Sequence, residues 1–258
     1  MHSVGIVTLC IIAPNAILAY AIPRKAGPLP RVVAEPSEGP LVIFDCNGVL
    51  VDSEPIAAAV LAEALGRTGV KASATGVMRR FHGRRPADVF AAIEAAIGRR
   101  LPLDFSTFVA AETLRRLRAE LRPIAHAAHA LTWIRGPKAV ASSAPPDRIR
   151  ASLEITGLIR FFESRLFSAS AVRHGKPAPD LFLLAAARSE VAASECIVVE
   201  DSAPGIAAAA AAGMRPIGFV GGSPAPGKLA SELLATGACS IVADMRSLKG
   251  AVADLRGW

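Results

Sequence analysis

The sequence predicts an α/β protein, a parallel β-sheet covered by helices and interrupted early by an all-helical insertion. Three observations predict it. From residue 41 onward, short apolar runs alternate with helical patterns, the order that builds a parallel sheet with helical crossovers. The first of these runs, Leu41–Asp45, is apolar up to its terminal carboxylate, as expected of a strand buried on both faces. The span 55–122 carries helical periodicity and no strand-like run.

The elements follow in order. Strands are expected at Leu41–Asp45, Lys138–Ser142, Cys196–Glu200, Arg215–Phe219 and Ser240–Ala243. Helices are expected at Asp147–Leu153, Pro179–Ala187, Gly205–Ala212, Lys228–Thr236 and Met245–Leu255. Within the insertion, "IAAAVLAEALGRTG", "PADVFAAIEAAIGRR" and "FSTFVAAETLRRLRAEL" read as three amphipathic helices. The domains expected are an apolar N-terminal segment and linker (1–40), a core domain (41–54 and 123–258) and a helical domain (55–122). Because the insertion follows the first strand directly, it can sit over that strand's C-terminal end, where open α/β sheets place their ligands.

Composition narrows the function classes. The chain has 258 residues, 52% of them hydrophobic, which excludes a disordered protein. The net charge of +7 is spread along the chain, with no basic block and no stripe of interleaved aromatics. That argues against nucleic-acid binding and for a basic surface attractive to small anions. The four cysteines have neither metal-ligand nor redox spacing, which fits a reducing compartment. Val4–Ile22 is uncharged and mostly apolar, and Ala19-Tyr20-Ala21 resembles a signal-peptidase site. No Lys or Arg precedes it, however, while Arg24, Lys25 and Arg31 follow. A cytoplasmic protein is expected. Export or membrane anchoring through residues 4–22 is the weaker alternative, and a translation start assigned too far upstream is a third.

Four motifs end or follow strands and so gather on one edge of a parallel sheet. Asp45 ends the first strand, in "LVIFDCNGVLVDSEP"; Ser142 and Ser143 end the second core strand; Lys176 sits in "HGKPAPD"; Glu200 and Asp201 precede "SAPG". A carboxylate, a hydroxyl, an ammonium and an acidic pair suit phosphoryl transfer. Asp45 can attack phosphorus. Asp45 and Asp201 offer hard oxygens to Mg²⁺. Lys176 and Ser142 can hold phosphate oxygens, with the backbone after Asp45, loosened by Gly48, as a further cradle.

In this order and spacing the motifs resemble the haloacid dehalogenase superfamily, the branch with a helical cap between the first two strands. "FDCNGVLVDSE", "VASS", "GKPAPD" and "VVEDSAPG" carry the resemblance, over about Leu41–Gly222. It implies a Rossmann-like core with an inserted small all-helical cap domain, a Mg²⁺ cofactor, and a small phosphorylated metabolite as partner, with sugar-phosphate phosphatases the nearest in appearance. It implies Asp45 as nucleophile and Ser142 and Lys176 on the phosphate, with Ser143 a further substrate contact. It places Asp45, the Asn47 carbonyl, Glu200 and Asp201 at the metal. "FHGRRPADVF" resembles the cap loop that reaches the substrate, so Gly83, Arg84 and Arg85 are candidate substrate contacts. The chain departs from the pattern at Asn47, where phosphatases of this family carry the aspartic acid that protonates the leaving alcohol. An amide cannot titrate there. The expectation is therefore a phosphatase weakened where it must give a proton to the leaving alcohol and take one from the water. Its alternatives are a phosphate-ligand-binding protein without turnover and, less favoured, a phosphomutase. The mutase reading wants a histidine on the first cap helix, where "IAAAVLAEAL" has none and Ala57 stands near the position.

Overall fold

The computed structural model describes residues 39–162, 164–223 and 227–255. The N-terminal segment that raised export and anchoring lies outside them. Six strands form one parallel sheet: β1 (Leu41–Phe44), β2 (Lys138–Ser142), β3 (Leu166–Ser168), β4 (Cys196–Glu200), β5 (Arg215–Phe219) and β6 (Ser240–Val242). Their order across the sheet is β3-β2-β1-β4-β5-β6, so the winding reverses between β1 and β4. That switch point opens a crevice at the strands' C-terminal ends.

Four helices lie between β1 and β2: α1 (Glu54–Arg67), α2 (Ala74–Phe81), α3 (Pro86–Ile97) and α4 (Phe105–Glu120). After them come α5 (Ala127–Trp133), α6 (Pro146–Ile155), α7 (Asp180–Arg188), α8 (Ala203–Ala211), α9 (Leu229–Thr236) and α10 (Leu248–Asp254). Among the described residues no helix is long and apolar enough to cross a membrane.

Strand alternation explains the layers. Val42, Phe44, Val140, Ile197 and Val199 point to one face, where Leu131 of α5, Ile149 and Leu153 of α6 and Leu248 of α10 cover them. Leu41, Ile43, Ala139, Cys196 and Val198 point to the other, under Leu181 and Phe182 of α7 and Ala208 and Ala209 of α8. β1 is thus buried on both faces, which is why its sequence is a continuous apolar run. The insertion has its own small core, with Leu61, Leu65, Val77, Val89, Ile93 and Phe105 at its centre.

Two elements go beyond the sequence expectation. β3 is three residues long, on the sheet edge, with only Ser168 buried, so it carries no apolar run. α2 is a short helix whose sequence, "ATGVMRRF", includes Gly76 and Thr75; its start is fixed by Ser73, whose hydroxyl accepts from the Gly76 N–H. β1 and β6 each stop one residue short of the expected end, at Phe44 and Val242.

The two chain crossings that tether the insertion run side by side. Asp52 N–H donates to Arg122 C=O at 3.0 Å and Ile124 N–H to Leu50 C=O at 2.9 Å, and Val51 bridges antiparallel to Pro123. Just beyond, His126 caps α5 with φ 63°, in the left-handed region that favours glycine. A side chain held there costs about 1–2 kcal/mol. Replacing His126 with glycine removes that strain against a smaller loss of unfolded-state restriction. His126→Gly is therefore expected to raise the unfolding free energy by roughly 1 kcal/mol, read from urea denaturation at an unchanged slope.

Candidate active site

The site is built at the switch point. Asp45 leaves β1, and its backbone N–H donates to Val199 C=O of β4 at 2.9 Å, which locks the turn to the neighbouring strand. Both carboxylate oxygens are held. Oδ2 accepts from the Asn47 N–H at 2.8 Å and Oδ1 from Lys176 Nζ at 2.6 Å. The turn closes on itself as Leu50 and Val51 N–H donate to Cys46 C=O. Gly48 takes φ 78° inside it. A Cβ on Gly48 would stand 1.8 Å from Asp201 Oδ2, so only glycine lets the two strand ends come this close.

Lys176 reaches in from the loop before α7 and passes over the Phe182 ring, 5.2 Å from its centroid. Its ammonium also donates to Glu200 Oε2 at 2.6 Å, and both side chains are 1% exposed. The other Glu200 oxygen accepts from Ser202 Oγ at 2.6 Å. Each Glu200 oxygen thus has one donor within the protein. Burial alone would pull the Lys176 ammonium down; Asp45 and Glu200 outweigh it and hold the ammonium well above its usual range. Burial pushes Asp45 the other way, up to about 7, against the lowering pull of Lys176.

The insertion adds a ceiling. Ser143 Oγ donates to Gly83 C=O at 2.8 Å, and a Cβ on Gly83 would stand 2.4 Å from Ser202 Oγ. The loop after α2 is thus seated directly on the ends of β2 and β4. His82 puts Nε2 3.1 Å from Asp201 Oδ2, and the Asp201 charge, chiefly, raises its pKa to about 10. Of the two candidate arginines, Arg84 lines the cavity. Arg85 instead pairs with Asp88 on α3 at 2.8 Å and leans on Gly175.

One cavity joins these groups. Asp45, Asn47, Ser142, Ser143 and Asp201 line its floor, and Leu61, Val77, Phe81, Val89 and Phe90 of the insertion line its apolar roof. Ser142 is fully buried and its Oγ accepts from Ala144 N–H at 3.3 Å, which leaves the hydroxyl proton free to donate. Among the described residues no three His, Cys, Asp or Glu side chains converge as a ready metal cage. Two carboxylates, Asp45 and Asp201, brought together across Gly48, fit a hard cation that keeps several waters, as Mg²⁺ does.

Two cavity residues escaped the sequence reading. His82 lies inside the quoted cap loop, but nothing in its neighbours signals a partner 119 positions away. Arg148, in the first turn of α6, also lines the cavity and looks in sequence like any basic residue on an amphipathic helix.

Residues 40–213 match the family model of the haloacid dehalogenase-like hydrolases. The chain is 30% identical over 175 residues to a 6-phosphogluconate phosphatase of Escherichia coli, covering 67% of this chain and 79% of that one. It is 30% identical over 208 residues to a phosphorylated carbohydrates phosphatase of Thermotoga maritima, covering 78% and 93%. Among solved structures, a haloacid dehalogenase-like protein of unknown function from Agrobacterium tumefaciens superposes with a TM-score of 0.73 at 33% identity, over 84% of this chain and 99% of that one. A hydrolase of the same superfamily from Deinococcus radiodurans, solved with bound phosphate and sodium, superposes with a TM-score of 0.66 at 30% identity, over 85% and 97%.

The geometry predicts the effect of removing the ammonium. Lys176→Met leaves Asp45 and Glu200 buried with no cation between them. The variant is expected to lose about 3–5 kcal/mol of unfolding free energy at neutral pH, measured by urea denaturation.

Proposed function

The chain belongs to the haloacid dehalogenase-like hydrolases, and from that premise we propose that it is a Mg²⁺-dependent phosphatase of small organic phosphates, of the sugar-phosphate class, acting through an aspartyl phosphate on Asp45. One observation carries the reading: a buried carboxylate at the switch point, with Lys176 on one oxygen and the Asn47 N–H on the other. The substrate class is supported by the relatives' names, a 6-phosphogluconate phosphatase and a phosphorylated carbohydrates phosphatase.

The residues divide the work. Asp45, Asp201 and the Asn47 carbonyl would hold Mg²⁺, which would supply positive charge against the phosphoryl oxygens. Lys176 and the Ser142 hydroxyl hold the same oxygens from the protein side. An Asp45 oxygen forms a bond to phosphorus while the ester P–O bond breaks, and the leaving oxygen needs a proton. Water then attacks the phosphorus, releases phosphate and restores Asp45. Glu200 serves as a positioning residue: it keeps Lys176 charged and fixed and touches no substrate.

Asn47 limits both proton steps. Its Oδ1 accepts from Ser53 Oγ at 3.0 Å, which turns the amide oxygen toward the start of α1. An amide neither gives nor takes a proton at working pH. The same contact is the observation that favours the second reading, a protein that binds a phosphorylated ligand with little turnover.

The test is a phosphatase panel run on the native chain and on Asn47→Asp. The variant is expected to raise kcat on alkyl phosphates by about 10²-fold or more, with a smaller gain on acetyl phosphate, whose leaving group needs no proton. The native chain is expected to accumulate phosphate on Asp45, seen as an added mass that hydroxylamine removes. An Asn47→Asp variant no faster on any panel member, with no phosphorylated Asp45 in the native chain, overturns the reading.

A further inference from the structure

Among the described residues, two buried nitrogens of the Arg148 guanidinium have no hydrogen-bond partner. Arg148 lies in the first turn of α6, just after Ser142 and Ser143, and lines the same cavity as Asp45 and Asn47. The two nitrogens are Nε and Nη2, both shut off from solvent. Lys176, in contrast, pairs with two carboxylates and keeps one N–H for a further acceptor. Glu54 also lines the cavity, but its carboxylate forms no hydrogen bond to these nitrogens. Buried guanidinium N–H groups left unpaired are costly. The first turn of a helix is also an adverse place for a positive charge, because the free N–H groups there already carry a partial positive charge. An anion in the cavity that draws the guanidinium toward it would offset both penalties.

The fold indicates which anion. Ile149 and Leu153, on the same helix, belong to the core face with Phe44 and Val140, whereas Lys176 lies over Phe182 in the core of the opposite face. Arg148 and Lys176 therefore approach the cavity from opposite sides of the sheet. A phosphoryl group held by Lys176, Ser142 and the Asp45 turn leaves Arg148 for a different group.

We propose that Arg148 binds a second acid group, a carboxylate or a second phosphate, on the non-transferred part of the substrate. The substrate class is then a phosphate ester that carries another anionic group. This rests on the phosphatase reading for the identity of the first group, but it can be tested without turnover.

The probes are non-hydrolysable pairs: 3-phosphonopropionate and 4-phosphonobutyrate against propylphosphonate and butylphosphonate, with inorganic phosphate as the reference. Binding is measured by calorimetry with Mg²⁺ on the full chain, on Arg148→Met and on Arg148→Lys. The native chain is expected to prefer a carboxylated probe to its plain partner by about ten-fold or more. Arg148→Met is expected to erase the preference while leaving the plain phosphonates and phosphate nearly unchanged. Arg148→Lys is expected to keep part of it. Ligand-free Arg148→Met is expected to melt no lower than the native chain, since it removes an unpaired buried cation and keeps the stem. No preference in the native chain, or an equal loss for every probe including phosphate, overturns the proposal; the latter outcome puts Arg148 on the transferred group. A melting temperature well below native in Arg148→Met, with the preference kept in Arg148→Lys and Arg148→Met alike, overturns it as a purely structural arginine. Turnover is read separately on 3-phosphoglycerate and glycerol 3-phosphate. A carboxylate preference without turnover counts against hydrolysis alone, and turnover without the preference counts against Arg148 alone.

Discussion

The site depends on one buried ammonium. Asp45 and Glu200 end adjacent strands at the point where the sheet reverses its winding, and both are nearly inaccessible to solvent. Two carboxylates at such close quarters in a poorly solvated place repel each other and resist ionisation. Lys176 makes the arrangement tenable by bonding to each at 2.6 Å. The other contacts extend that bridge. Ser202 takes the free oxygen of Glu200 and caps α8 with the same hydroxyl, which accepts from Gly205 N–H. The Asn47 N–H takes the free oxygen of Asp45. Glycines at 48, 83 and 205 then allow backbone to lie against these side chains at distances that a Cβ would forbid.

Binding and proton transfer are separable in this framework. The groups proposed to meet a metal or a phosphate are carboxylates, a hydroxyl, an ammonium and backbone atoms, and none of them is the Asn47 side chain. The proton-handling position does not. Asn47 still gives its N–H to Asp45, and its side chain gains a partner in Ser53. The substitution leaves the local geometry closed and coherent and removes one kind of chemistry from it.

What the sequence made legible follows from physics. β1, β4 and β5 are buried on both faces, so their apolar runs are hard to read any other way. Their ends carry Asp45 and the Glu200–Asp201 pair, and the motif order carried the rest of the site. β3 was invisible because an edge strand with one buried residue needs no pattern, and α2 because Ser73, rather than periodicity, fixes its start. The bond from Lys176 to Glu200, 24 positions apart, was out of reach for another reason: it depends on how the loop before α7 returns to the sheet. Arg84 and Arg85 are adjacent and chemically alike; only Asp88, three residues on, decides which one turns away from the cavity. His82 and Arg148 depend on approaches between segments remote in sequence, which no local pattern records.

The paired crossings that tether the helical insertion constrain its mechanics. Residues 50–52 and 122–124 are stitched to each other by backbone hydrogen bonds, so they cannot bend independently. Two loose tethers would let the insertion twist, slide and tilt; a stitched pair behaves as a single axle. Displacement of the four helices against the sheet is thereby reduced to rotation about one line, and the far end of the rotating body is the loop that carries His82, Gly83 and Arg84. Any opening of the insertion about this line would part His82 from Asp201 and Gly83 from Ser143 together.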